Sequence, residues 1–157
     1  MADIVNTRKR SEMMAGIRAK DTKPELVVRR LLHSLGYRFR LHCKDLPGKP
    51  DIVLPKWRTV VLVHGCFWHG HANCPLFRPP KSRTEFWTKK IRANEERDDL
   101  VRLKLSSLGW RIVEVWECAI KGRQRLEPET LANLLSDSIN QDLGPIISIR
   151  GLDSVKT

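Results

Sequence analysis

A chain of 157 residues, 41% hydrophobic and 30% charged, has the size and composition of one globular domain that buries roughly 70% of its unfolded surface unaided; this excludes a disordered chain or a coiled coil and makes a monomer sufficient. No apolar run nears the ~20 residues of a membrane span, and the start Met1-Ala2-Asp3-Ile4-Val5-Asn6 has no signal-peptide character, so a soluble cytoplasmic protein with reduced, metal-bound or catalytic cysteines is expected. The 29 Lys and Arg against 18 Asp and Glu leave a net charge of +11, a balance suited to nucleic acid because each neutralised phosphate releases a counterion.

The first twenty residues carry Arg8, Lys9, Arg10, Arg18 and Lys20 without a helical apolar stripe. They read as a basic arm, residues 1–20, ahead of one domain over residues 21–157. Thr22-Lys23-Pro24-Glu25 matches a capping box, and Val28, Leu31, Leu32 and Leu35 then mark one buried helical face that Gly36 ends. Tyr37, Phe39 and Leu41 alternate with polar residues, the period of a half-exposed strand. Asp51-Ile52-Val53-Leu54 and Thr59-Val60-Val61-Leu62-Val63, joined by Pro55-Lys56-Trp57-Arg58, predict a hairpin of two buried strands.

A second capping box, Ser82-Arg83-Thr84-Glu85, is expected to open a long helix that Gly109 closes. Trp87, Ile91, Asn94, Asp98, Val101, Leu105 and Leu108 share one face of it, five apolar and the middle two polar. Either the helix breaks near Asn94 and both polar residues face water, or this turn lines a site, since a buried carboxylate needs a partner. Trp110 to Trp116 predicts a strand ending at Glu117-Cys118, Leu131, Leu134, Leu135 and Ile139 a last amphipathic helix behind Pro128, and Ile146-Ile147-Ser148-Ile149 an edge strand. Helix, strands, helix, strand and helix make an α/β fold, a mixed sheet flanked by helices.

The chemistry concentrates in Val63-His64-Gly65-Cys66-Phe67-Trp68-His69-Gly70-His71-Ala72-Asn73-Cys74-Pro75, directly beyond a buried strand. Cys66, His71 and Cys74, with Cys118 as fourth ligand, suit one tetrahedral zinc, and a closed Cys₃His site is structural. Spacing alone does not choose His71 over His69, and the bland alternative is a cluster of reduced buried thiols. Cys43 reads as a thiol without function. Phe67 and Trp68, adjacent on a braced loop of a basic protein, are candidate wedges between base pairs; Trp87 is either a third wedge or core packing.

Pro50-Asp51 on one strand, followed about a dozen residues later by a polar group at the end of the next, is the layout of restriction-endonuclease-like nucleases, with Leu62-Val63-His64 where an acid, a spacer and a lysine are usual. Together, Pro47-Gly48-Lys49-Pro50-Asp51, His64-Gly65-Cys66-Phe67-Trp68-His69, Arg83-Thr84-Glu85-Phe86-Trp87 and Trp116-Glu117-Cys118 resemble the very short patch repair (Vsr) endonuclease family, over about residues 13–123. The resemblance implies a restriction-endonuclease-like fold with a structural zinc, double-stranded DNA carrying a T·G mismatch as substrate, and a strand-specific nick 5′ of the thymine left when 5-methylcytosine deaminates. The implied context is CT(A/T)GG, and mismatch-repair proteins are further candidate partners.

The resemblance also implies roles. Asp51 would bind a catalytic magnesium ion with the main-chain carbonyl of Val63, His69 would be base or proton relay oriented by Asp98, and His64 would contact the scissile phosphate. Glu25 would support the metal-bound water, or serve only its capping box. Phe67, Trp68 and Trp87 match intercalating aromatics, Met14 an arm residue inserting from the minor groove, and Lys90 and Asn94 mismatch-reading positions. Three departures stand out: the family pattern has threonine where this chain has Val63, one extra residue separates His71 from Cys74, and the loop has fewer histidines. The competing expectations are a restriction-type nuclease acting on normal duplex and a zinc-braced DNA-binding module without catalysis.

Overall fold

The computed structural model describes residues 21–152, so the basic arm and Met14 lie outside the described residues. Helix α1 runs Lys23–Ser34, with Thr22 as N-cap accepting the Glu25 amide and proline in the first turn. The reciprocal half of the capping box is displaced by one residue, Glu25 Oε2 accepting from the Asp21 amide at 2.8 Å. Val28 and Leu32 are fully buried, while Leu35, predicted on the same stripe, is exposed at the C-cap.

Only Arg40–Leu41 of the next predicted strand pairs, as β1. Tyr37 leaves the sheet for the core, its ring edge-on to Trp57 and its hydroxyl 3.2 Å from Ser136 Oγ, and Leu41 is exposed. Burial of one large ring here outweighs the alternating pattern, as tertiary packing commonly does for strand propensity. The hairpin forms as predicted: β2 spans Ile52–Leu54, a 3₁₀ turn Pro55–Trp57, and β3 Thr59–His64.

Helix α2, Thr84–Ser107, is continuous through Asn94 and Asp98, which removes the reading in which it breaks there. Its predicted capping box does not form. Arg83, in the left-handed region at φ 53°, is the N-cap and gives the helix no side-chain hydrogen bond, while the Thr84 hydroxyl donates back to Pro80 O and the Arg83 guanidinium lies over the Phe86 ring. The chain entering from Pro79-Pro80 therefore directs both polar side chains away from the free amides. Strand β4, Arg111–Trp116, helix α3, Pro128–Asn140, and strand β5, Ile146–Ile149, follow.

The sheet order is β1-β2-β3-β4-β5, antiparallel from β1 to β3 and parallel from β3 to β5. Because successive strand residues face opposite ways, Ile52, Leu54, Val61, Val113 and Val115 join Val28, Leu32, Leu131 and Leu135 on one side, under α1 and α3. Val53, Val60, Leu62 and Ile112 pack with Leu105 and Val101 of α2 on the other. Alternation carries Glu114, Trp116 and His64 onto this second face. Parallel strands covered on both sides leave no wet face, so Glu114 is buried, at 3% exposure.

Glu114 is matched by Arg102 of α2 in a two-pronged ion pair, Nε to Oε1 and Nη2 to Oε2. This raises the Arg102 pKa further, first through the hydrogen bond to Glu114. Removing one member of such a pair strands a buried charge, whereas replacing both with apolar groups is tolerated. Arg102→Ala is therefore expected to lose about 2–4 kcal/mol of stability, and Arg102→Leu with Glu114→Leu to recover most of it. Urea unfolding of the three proteins checks this; equal stability of Arg102→Ala and the parent would refute it.

Candidate active site and metal centre

Parallel pairing sets His64 against Trp116 at the carboxyl ends of β3 and β4, and the loop that follows β3 folds over both. Its first turns are held by main-chain bonds, His69 N to Gly65 O and His71 N to Cys66 O. Gly70, at φ 60°, lies so close to α2 that a Cβ there would come within 2.8 Å of Ile91 Cγ2. Only glycine meets both demands.

Cys66, His71, Cys74 and Cys118 are all buried, and their ligand atoms lie within 4.8 Å of one another. Three sulfurs and an imidazole converging in a buried pocket are a donor set that could hold zinc. The loop delivers His71 to this group and turns His69 away, an assignment that spacing left open. Among the described residues Cys43 stands apart, half-buried against the α2 face of the core. Burial, with the charge of Arg150, pushes the His71 pKa down to about 4, leaving a neutral ring with a lone pair to give. A hydrogen bond between the Cys66 and Cys118 side chains draws Cys118 down to about 6 and, with burial, holds Cys66 well above its ordinary range. Glu117 steadies the loop, accepting the Cys66 amide at 3.3 Å.

His69 Nδ1 is 2.5 Å from Asp98 Oδ2, so the polar gap in the α2 stripe faces a partner. The His64 ring lies 4.3 Å from His69 and 5.0 Å from Trp116, centroid to centroid. His64 Nε2 is buried without a hydrogen bond, its nearest anion being Glu114 Oε2 at 3.6 Å. Burial first, then the neighbouring His69, holds its pKa down to about 3.

Asp51, at the mouth of β2, accepts the Val63 amide through Oδ2 at 2.9 Å. Burial pushes its carboxyl up to about 7, and neighbouring Glu25 adds to the rise. Glu25 itself is buried at 2% exposure and ties α1 to the residue after β1, its Oε1 2.9 Å from His42 Nε2 and its Oε2 paired with Arg29 of its own helix. It thus serves its cap and stands beside Asp51 as well. Phe67, Trp68 and Trp87 form a half-buried aromatic group with ring centroids 5.2–5.7 Å apart. Asn94 anchors this group by donating from Nδ2 to Trp68 O at 2.9 Å, and half-buried Lys90 sits one turn earlier on α2.

A family model described as DNA mismatch endonuclease Vsr matches residues 2–75. The chain is 49% identical over 138 residues to the type II nicking enzyme V.XorIIP of Xanthomonas oryzae pv. oryzae, covering 88% of this chain and all of that one. The chain belongs to the Vsr DNA mismatch endonuclease family. It is also 45% identical over 139 residues to DNA mismatch endonuclease Vsr of Escherichia coli, covering 88% of each chain. With type II nicking enzyme V.NmeAIP of Neisseria meningitidis it shares 48% identity over 123 residues, 78% of this chain and 87% of that one. The Vsr relatives mark the chain as a nuclease, and no helix among the described residues is long and apolar enough to cross a membrane.

Beyond the residues to which the Vsr resemblance gives roles, the site contains His42 and Arg29 around Glu25, Glu114 and Arg102 behind His64, and Trp116. The last stacks on His71, centroids 3.9 Å apart and planes 6° from parallel, and donates from Nε1 to Ser148 Oγ at 2.9 Å. Glu114 had a signal, a lone charge among Ile112, Val113 and Val115. His42 had none, because its meeting with Glu25 is made by tertiary packing, whereas Arg29 lies four residues beyond Glu25 on α1, a spacing that pairs opposite charges. Cys118→Ser is expected to purify without metal and to melt more than about 5 °C lower, since metal binding to such a site is folding free energy. Metal analysis and thermal melts check this; full metal content in the variant would remove Cys118 from the ligand set.

Proposed function

We propose that this chain is a DNA endonuclease that nicks one strand 5′ of the mispaired thymine in a T·G mismatch, with magnesium at Asp51 and zinc bracing the loop of residues 66–74. The observation that carries the reading is the His69–Asp98 pair beside His64, with Asp51 bonded to the residue before His64. The relatives, a mismatch endonuclease and nicking enzymes by name, agree with it.

Aromatic insertion is easiest where pairing is weakest, so a T·G step is a natural place for Phe67, Trp68 and Trp87 to enter the stack. Met14 is proposed to enter from the opposite groove. Asn94 spends its amide on the Trp68 carbonyl, which leaves Oδ1, with Lys90, to meet base edges. One carboxylate and one main-chain carbonyl suit magnesium, which keeps most of its waters. A strand residue's amide and carbonyl point to the same side, and the Val63 amide points at Asp51, so its carbonyl shares that side.

Magnesium bound there supplies charge stabilisation at the phosphate and a more acidic water. With Asp98 accepting from Nδ1–H, His69 presents a lone pair on Nε2 and takes the proton as the water oxygen bonds to phosphorus and the bridging oxygen departs. Asp98 then stabilises the resulting imidazolium. Neutral His64 offers a hydrogen bond to the phosphate, and Glu25 orders water near Asp51.

With magnesium and end-labelled duplexes differing only in T·G or T·A, a nick beside the mismatched thymine alone is expected. Asp51→Ala and His69→Ala should cut at least about 100-fold more slowly while binding DNA nearly as well. Equal cutting of both duplexes would move the assignment to a restriction-type nuclease, and binding without cutting to a non-catalytic module.

A raised Asp51 pKa means that the metal-free fold prefers the protonated acid. That preference is fully present below the ordinary pKa of 3.8 and is lost as pH rises through about 7. Magnesium takes the ionised acid, so its apparent affinity should fall about tenfold per pH unit below 7 and level off above it. Calorimetric titrations from pH 6 to 8 check this; an affinity flat across that range would contradict it.

A further inference from the structure

We propose that Arg150 and Gly151, the residues following β5, form an outer clamp on the Cys₃His centre that fixes Cys118 and the loop of residues 66–74 and so retains the metal. The proposal rests on the reading of that centre as a zinc site. Strand β5 pairs with β4 up to Val115 and Ile149, and this register leads the next two residues past Trp116 to Cys118.

There the Gly151 amide donates to Cys118 Sγ at 3.3 Å, while the Cys118 amide donates to Cys66 Sγ at 3.3 Å. Two of the three sulfurs therefore accept main-chain hydrogen bonds, which orient the lone pairs left for a metal. The approach is open only to glycine: a Cβ on Gly151 would stand 2.5 Å from the Cys118 carbonyl oxygen and 2.6 Å from that of Gln124. The Leu152 amide locks the segment in place, donating to Gln124 O at 2.7 Å.

Arg150 closes the other side. Its Nη2 donates to the carbonyls of Ala72 and Asn73 at 3.2 and 3.0 Å, the two exposed residues between His71 and Cys74. One guanidinium nitrogen from beyond the sheet edge thus holds an exposed stretch of the loop between two of the ligands. Three thiolates around a divalent zinc leave one negative charge, and Arg150, whose field reaches both His71 and Cys118, is placed to balance it. Hydrogen bonds to ligands and to the backbone between them govern metal retention nearly as much as the ligands do.

The test is the zinc content of the full-length chain and the rate at which zinc passes to an excess of chromogenic chelator, for the parent, Arg150→Ala, Arg150→Lys and Gly151→Ala, with circular dichroism to establish folding. The parent is expected to hold zinc, and folded Arg150→Ala to release it at least about tenfold faster. Arg150→Lys, which keeps the charge without the guanidinium's placement of Nη2, should fall between, and Gly151→Ala should lose metal at least as readily as Arg150→Ala. Release from folded Arg150→Ala at the parental rate would overturn the clamp, whatever becomes of Gly151→Ala. A parent that neither carries nor takes up zinc would instead overturn the zinc reading beneath it.

Discussion

The in-register parallel pairing of β3 with β4 is the constraint on which the rest of the molecule depends. It places His64 beside Trp116 and makes the carboxyl ends of both strands a single rim. From that rim the loop leaves β3 and the 3₁₀ turn carrying Cys118 leaves β4, so ligands 44 or more residues apart in sequence start from adjacent points. The same pairing, roofed by helices on both faces, forces any polar group on the central strands to find a buried partner. Glu114 finds Arg102, and both the Cys₃His group, through His71, and the paired histidines, through His64, meet Trp116.

Much of this was legible from periodicity. The hairpin, the long helix, the last helix and the edge strand follow from apolar spacing, and the two polar residues interrupting the α2 stripe marked the turn that meets His69 and Trp68. What escaped was set by packing between distant segments. Tyr37 left its predicted strand because a ring-sized space exists between α1, α3 and the 3₁₀ turn. Ser82 missed its capping role because the entering chain bends through a left-handed residue. Glu114 showed only as a lone charge among apolar neighbours, and its burial follows from the parallel pairing of β4 on both sides.

The three loop histidines show how a short segment separates tasks. His71 goes to the sulfurs, His69 to a carboxylate, and His64 remains on the strand with one ring nitrogen unpartnered. Their spacing is close enough that composition alone could not divide them. The division comes from Gly70, whose left-handed conformation reverses the chain between His69 and His71 and lets it lie flat on α2.

Helix α2 meets each of these parts along one line: Trp87 in the aromatic group, Asn94 at the Trp68 carbonyl, Asp98 at His69, Arg102 at Glu114 and Leu105 in the core. A helix advances about 1.5 Å and turns about 100° per residue, so this line works as a ruler roughly 27 Å long with fixed graduations. Adding or deleting one residue within it would rotate every mark beyond the change out of line at once. Point substitutions can be accommodated singly along such an element, but a change in its length between Trp87 and Leu105 would uncouple the aromatic group from the paired histidines and the core together.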